Sequence, residues 1–139
     1  MRKFRALVLN KKKNQSISYE LINEDQLMKG DTVVKINYST INYKDALAVK
    51  NRRPIIKSWP MIPGVDFSGV IESSSNKKFK RGDQVILNGC GVGEKHYGGF
   101  SQKAKINSNW LVKLPTSITQ FEAMAIGSAG LTAMLCVQQ

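Results

Sequence analysis

Residues 39–49 read STINYKDALAV. They close the run TVVKINYSTI, residues 32–41, in which Val34, Ile36 and Tyr38 alternate with Val33, Lys35 and Asn37. Period-two alternation of this kind predicts a strand. A strand normally ends in a turn or in a second strand. Here Asn42, Tyr43, Lys44 and Asp45 arrive together, and the helix-like DALAV follows. Four polar or half-polar side chains at a strand-to-helix junction are either a cap or a site.

Short strands surround this junction. FRALVLN (4–10) and SISYELI (16–22) read as strands about the polar turn NKKKNQSI (10–17), and NEDQLMKGD (23–31) reads as a loop. YKDALAVKN (43–51) is a short helix. PIIKSWPMIPGVD (54–66) carries three of the four prolines and reads as extended loop. FSGVIESS (67–74) and QVILN (84–88) are strands about the turn NKKFKRGD (76–83). FSQKAKINSNWLVKLP (100–115) gives one strand and a second short one. TSITQFEAMAIGSAGLTAMLCVQQ (116–139) is helical, with Ser117 or Thr119 as cap and Glu122 at capping-box spacing from Thr119. Many short strands followed by a helix predict a mainly β chain, a small barrel-like domain with a helical exit. The apolar LTAMLCV (131–137) has little to pack on, as expected of a chain that stops where something larger continues.

Composition narrows the function. One hundred and thirty-nine residues suit a single core, and 42% of them are hydrophobic. No apolar run approaches bilayer-spanning length, and the basic N-terminus lacks a small-residue cleavage site. The expectation is a cytoplasmic protein with no membrane partner. Cys90 and Cys136 form no CxxC pattern, so two buried or semi-buried free thiols are expected. The net charge is +11. Lys11–Lys13 and the lysines of residues 77–83 sit in turns without interleaved aromatics, which argues for solvated turns and against nucleic acid. Lys50, Arg52, Arg53 and Lys57 could face an anionic substrate.

Three motifs carry chemistry or turns. GCGVGEKHYGG (89–99) is rich in glycine, but a phosphate-cradling GxGxxG needs a further glycine where Glu94 and His96 stand. The loop also precedes a strand and not a helix, so a wide hairpin connection is the better reading. His96, the only histidine, reads as a loop residue satisfied by backbone groups, with acid–base chemistry the alternative. Asp66 stands among apolar neighbours where a strand begins, and a buried carboxylate there needs a donor. A hydrogen bond to turn amides is the simplest supply.

INYKDALAV, PMIPGVDFSGV, RGDQVIL, GVGEKHYGGFSQKAKI and AIGSAGLTAMLCV occur in the order and spacing of the medium-chain dehydrogenase/reductase superfamily. The chain resembles most closely its zinc-independent quinone-oxidoreductase-like branch, and within it the acrylyl-CoA reductases. The resemblance implies a GroES-like β-barrel catalytic domain over residues 1–120. Residues 121–139 are then a linking helix toward a Rossmann domain that the chain lacks. In complete members NADPH binds between the two domains, so the chain alone is expected to be inactive. Zinc-dependent relatives place a cysteine where Asn42 stands and a histidine where Val65 stands, so no metal is expected.

The implied reaction is NADPH-dependent reduction of an α,β-unsaturated thioester. Resemblance assigns Asn42, Tyr43 and Thr132 to the cofactor, Tyr43 and Asp45 to the catalytic group, and Arg52 and Arg53 to the phosphates of a coenzyme A substrate. The proton donor is Tyr43 or water. A quinone or enone reductase is the alternative within the superfamily. A non-catalytic, stand-alone GroES-like domain is the alternative outside it. A homodimer is compatible with either.

Overall fold

The computed structural model describes residues 3–11 and 16–138. Seven strands and two α-helices follow in the order β1 (Phe4–Asn10), β2 (Ser16–Ile22), β3 (Thr32–Ser39), α1 (Tyr43–Val49), β4 (Asp66–Ser74), β5 (Gln84–Asn88), β6 (Lys103–Ile106), β7 (Val112–Lys113) and α2 (Gln120–Val137). The expected turn at residues 10–17 falls mostly outside the described residues, as do Lys12 and Lys13 of the first lysine cluster.

β1 and β2 form one antiparallel pair. The other five strands form a second antiparallel sheet in the order β6-β3-β4-β5-β7. The fold is GroES-like, but the sheets do not close into the expected hydrogen-bonded barrel. The reason lies beside β1. Leu9 and Met61 exchange both backbone hydrogen bonds, at 2.7 and 2.9 Å. Pro63 stands at the next bonded position beyond Met61 and has no N–H for that ladder, and the Leu7 amide goes to the Phe100 carbonyl instead. The contact stays an isolated bridge, like the one between Ala6 and Ser101.

Alternation along the strands places the core. Val34, Phe67, Ile71, Val85, Leu87, Ala104 and Ile106 turn inward from β3, β4, β5 and β6, and Val92 and Leu111 close the cluster. Phe4, Ala6, Val8 and Ile22 of the first sheet pack with Ile62 in a second cluster. The alternation read along β3 fails at both ends. Register shifts between Val33 and Val34 and between Ile36 and Tyr38 break the period. Tyr38 turns outward and meets Phe121 edge-on, with ring centroids 5.8 Å apart.

The glycine-rich segment 89–99 also differs from its reading. It is no hairpin, because β4 and β3 lie between β5 and β6. It crosses the end of the sheet and lies along residues 62–66. Gly98, Gly99 and Phe100 donate there to the carbonyls of Ile62, Gly64 and Pro63. A Cβ on Gly98 would stand 2.2 Å from the Gly64 carbonyl oxygen, so the approach requires glycine.

α2 begins at the predicted cap. Thr119 Oγ1 accepts from the Glu122 amide at 3.2 Å, and Glu122 Oε2 accepts from the Thr119 amide at 2.8 Å. Its 18 residues, of mean hydropathy 1.3, are long and apolar enough to cross a membrane by length and composition alone. The sequence reading missed this run because glycine, serine and threonine interrupt it. Phe121, Ile126, Leu131, Met134, Leu135 and Val137 are exposed along it.

Asp31 joins the start of β3 to the turn after β6. Its carboxylate accepts the Ser108 amide and the Ser108 hydroxyl, each at 2.7 Å. Desolvation opposes its charge, yet the Ser108 hydroxyl and amide outweigh it and hold the carboxyl below its ordinary value. A lowered folded pKa contributes stability above the unfolded value, about 3.9, that is lost as pH falls toward the folded one. Asp31→Asn should therefore melt below the wild type at neutral pH, with the gap closing as pH drops through that window. Melting curves measured across acid pH check this, and a gap independent of pH contradicts it.

Candidate functional site

Asp66 opens β4 and is fully buried. Its Oδ2 accepts Asn42 Nδ2 at 2.9 Å and the Ser128 amide at 2.8 Å. Its Oδ1 accepts the Ser128 hydroxyl at 2.5 Å and the Gly89 amide at 3.3 Å. Its backbone carbonyl takes the Ser39 hydroxyl at 2.6 Å. The carboxylate thus ties together the cap of α1, the start of the glycine-rich segment and the middle of α2, and the backbone carbonyl adds the end of β3. The carboxylate's donors are not only turn amides, as the sequence suggested, but come from three separate elements.

Gly127 makes the α2 connection. Its φ of 52° and ψ of −166° break the helix and let it restart at Ser128. A Cβ there would lie 2.9 Å from Thr40 Cγ2 and 3.2 Å from Asp66 Oδ2, so both space and conformation require glycine. The restarted helix presents its first N–H groups to the Asp66 carboxylate, where the helix dipole favours negative charge.

Asp45, expected in the catalytic group, is also buried. Oδ2 accepts the Asn42 amide at 2.9 Å, and Oδ1 accepts the amides of Gly64 and Val65, each at 3.1 Å. With both oxygens on backbone groups, Asp45 does not line the pocket described next. It caps α1 and pins residues 64–65 against Asn42. Burial pushes its carboxyl above the usual range, against the pull of those amides.

These bonds build an open pocket of about 400 Å³. Asn42, Tyr43 and Lys44 line one side, Val65, Gly89 and Glu94 the second, and Ser128, Ala129 and Thr132 the third. Asn42, Tyr43 and Thr132, the expected cofactor residues, therefore come together. Tyr43 is 81% exposed, and its hydroxyl has no partner among the described residues. Thr132 Oγ1 donates to the Ser128 carbonyl at 2.7 Å. Lys44 Nζ and Glu94 Oε1 form an ion pair of 2.7 Å.

Other expected residues are not gathered here. Arg52 and Arg53 follow α1, exposed, and do not line the pocket. Lys57 donates its amide to the Glu94 carbonyl and its Nζ to the Pro54 carbonyl. His96 lies with its ring nitrogens 3.0 Å from the Lys29 carbonyl and 3.3 Å from the Tyr97 carbonyl, edge-on to Trp110. Cys90 and Cys136 are exposed, against the expectation of buried thiols. Cys90 sits at φ 53° in a turn, and Cys136 on the uncovered part of α2. Asn42 and Val65 both line the pocket, and no group of three or more His, Cys, Asp or Glu is gathered among the described residues.

Sequence reasoning missed Ser128 and Glu94, and it singled out Lys44 at the junction without giving it a role. The glycine before Ser128 was the available signal for a kink. A lysine two residues into a helix carries no signal of its own.

The family model for the alcohol dehydrogenase GroES-like domain matches residues 28–116. A probable acrylyl-CoA reductase of Escherichia coli K12 is 43% identical over 133 residues, 95% of this chain and 41% of that protein. A putative quinone oxidoreductase of Bacillus subtilis is 38% identical over 137 residues, 98% of this chain and 42% of that protein. The crystal structure of the yhdH oxidoreductase of Salmonella enterica in complex with NADP superposes with a TM-score of 0.94 at 44% identity, over 96% of this chain and 42% of that one. The chain thus spans about two-fifths of the length of the relatives it matches.

Asp66→Asn replaces an acceptor with a donor that faces the Ser128 amide or hydroxyl. Leaving such groups unpaired in a buried site costs about 1–3 kcal/mol. Chemical denaturation should show that loss, and hydrogen exchange should show faster exchange at the Ser128 amide. Unchanged exchange there would mean that Asp66 does not hold it.

Proposed function

The chain belongs to the alcohol dehydrogenase GroES-like domain family, and on that premise we propose that it is the N-terminal portion of an NADPH-dependent enoyl-thioester reductase of the acrylyl-CoA type. The observation that carries the reading is the convergence of Asn42, Tyr43, Ser128 and Thr132 on one pocket. The NADP complex of the Salmonella oxidoreductase and the acrylyl-CoA reductase of E. coli supply the chemical class.

The donor set fits a nicotinamide. Tyr43 offers an exposed aromatic face, and Asn42 and Thr132 offer small polar groups for a carboxamide. When bound, the cofactor supplies a hydride to the β-carbon of the unsaturated thioester. Asn42, fixed by Asp66, and Thr132, fixed by Ser128, hold the pocket wall against which the ring sits. The Tyr43 hydroxyl, without a protein partner, delivers the proton that the α-carbon requires and is refilled from water. Asp45 positions this group through backbone and touches neither substrate nor cofactor. Arg52 and Arg53 meet the phosphates of coenzyme A outside the pocket.

The chemistry runs without zinc. Val65 brings no donor atom, and Asn42 offers a neutral amide where a thiolate or imidazole would ligate. Residues 1–120 form the catalytic domain and residues 121–139 the helix that leads to a nucleotide-binding domain. That domain covers the exposed apolar side chains of α2, which accounts for a long apolar helix without a membrane. The enzyme works in the cytoplasm. The Bacillus relative favours one second reading, reduction of a quinone or enone in the same pocket.

The complete gene product should oxidise NADPH faster with acrylyl-CoA than with a simple quinone, and faster than it oxidises NADH. Equal rates on the two acceptors would support the quinone reading and contradict the thioester one. Tyr43→Phe should lower kcat by about a hundredfold, within the range of general acid catalysis, and leave NADPH affinity nearly unchanged. An unaltered kcat assigns the proton to water.

A further inference from the structure

We infer that Lys44 is the residue that binds the substrate's thioester oxygen, and that Glu94 holds it in place. The inference rests on the reading of the pocket as an enoyl-thioester site.

Most hydrogen-bonding groups of the pocket are already engaged. Asn42 Nδ2, the Ser128 hydroxyl and the Gly89 amide serve Asp66, and the Thr132 hydroxyl serves the Ser128 carbonyl. The second N–H of Asn42 Nδ2 is left for a carboxamide, and two further donors keep capacity. One is the Tyr43 hydroxyl. The other is the Lys44 ammonium, which has three N–H donors and gives one to Glu94. Lys44 is also the only cation lining the pocket among the described residues, since Arg52, Arg53 and Lys57 lie elsewhere.

The two partners of the ion pair are not equivalent. The Glu94 side chain is 21% exposed and the Lys44 side chain 49%. Glu94 is further fixed through its backbone, whose carbonyl accepts the Lys57 amide at 2.8 Å. Glu94 is therefore the fixed anchor, and Lys44 the reachable group. Without this anchor a lysine stem loses its orientation to rotamer freedom.

The chemistry calls for a cation here. A hydride adds to the β-carbon, the π pair of the C=C bond moves toward the α-carbon, and negative charge appears on the thioester oxygen. A proton then adds at the α-carbon, and the nicotinamide is left oxidised. A donor at that oxygen binds the charged state more tightly than the ground state. Lys44 stabilises the oxygen while Tyr43, its neighbour in sequence, protonates the carbon.

The test uses the complete gene product with Lys44→Met, Lys44→Arg and the charge exchange K44E/E94K. Lys44→Met should lower kcat/KM for acrylyl-CoA by about 10–100-fold, the range for a hydrogen bond to a charged group. It should weaken propionyl-CoA binding by about tenfold in calorimetry with NADP⁺ present, and change NADPH affinity by less than about twofold. Lys44→Arg should recover most of both losses. The charge exchange should recover neither, because it restores the ion pair but moves the cation to the other wall. Recovery by the exchange would reduce the pair to a brace of the glycine-rich segment and overturn the proposal. So would wild-type kcat/KM and propionyl-CoA affinity in Lys44→Met. A wild type that neither reduces acrylyl-CoA nor binds propionyl-CoA overturns the thioester reading itself, and this inference with it.

Discussion

The buried carboxylate of Asp66 is the constraint on which the site depends. A charge in a protein interior persists only when donors surround it. Asp66 collects them from Asn42, Gly89 and Ser128, residues that the chain otherwise has no reason to bring together. Meeting that demand sets the entry of α1, the start of the glycine-rich segment and the kink of α2. Asp45 repeats the device one layer away, turning the amides of residues 42, 64 and 65 toward one carboxylate. The pocket is the space left between elements that these two aspartates fix.

The division of labour follows from burial. Groups that answer the aspartates are committed and form wall. Tyr43, whose hydroxyl has no partner among the described residues, and Lys44, which gives one of its three N–H groups to Glu94, lie on the exposed side of α1's first turn and remain available to a ligand. α2 shows the same division. Its first half packs Ala123 and Met124 into the domain, while beyond Gly127 its apolar side chains are exposed. An apolar helix of this kind is stable in water only when something covers it, and the proposed second domain would place the cofactor at the same edge.

Much of this was legible in the sequence. Alternation located most strands, and the spacing of Thr119 and Glu122 located the start of α2, because both are local signals. The junction at residues 42–45 was legible as cap or site. Asp45 proves to be the cap, while Asn42 and Tyr43 line the pocket. Asp66 was visible as a carboxylate in need of donors. Its partners were not, since they lie 23, 24 and 62 residues away and no local pattern encodes such distances. Sheet closure was overestimated for a similar reason. Whether residues near Met61 extend a ladder depends on which strand meets them, and on the Pro63 side no N–H is available to continue it. The crossing of residues 89–99 was hidden because strand order is not written in strand sequence. Lys44 was visible as part of the junction at residues 42–45 but received no role, since it is one of 21 basic residues, most of them in solvated positions.

The central claim is that the pocket held by Asp66 seats the nicotinamide. A crystal structure of the complete gene product with NADP⁺ and propionyl-CoA tests it most directly. The account predicts the nicotinamide ring in van der Waals contact with Tyr43 and Thr132, and its carboxamide beside Asn42. A nicotinamide ring bound away from all three residues would contradict it.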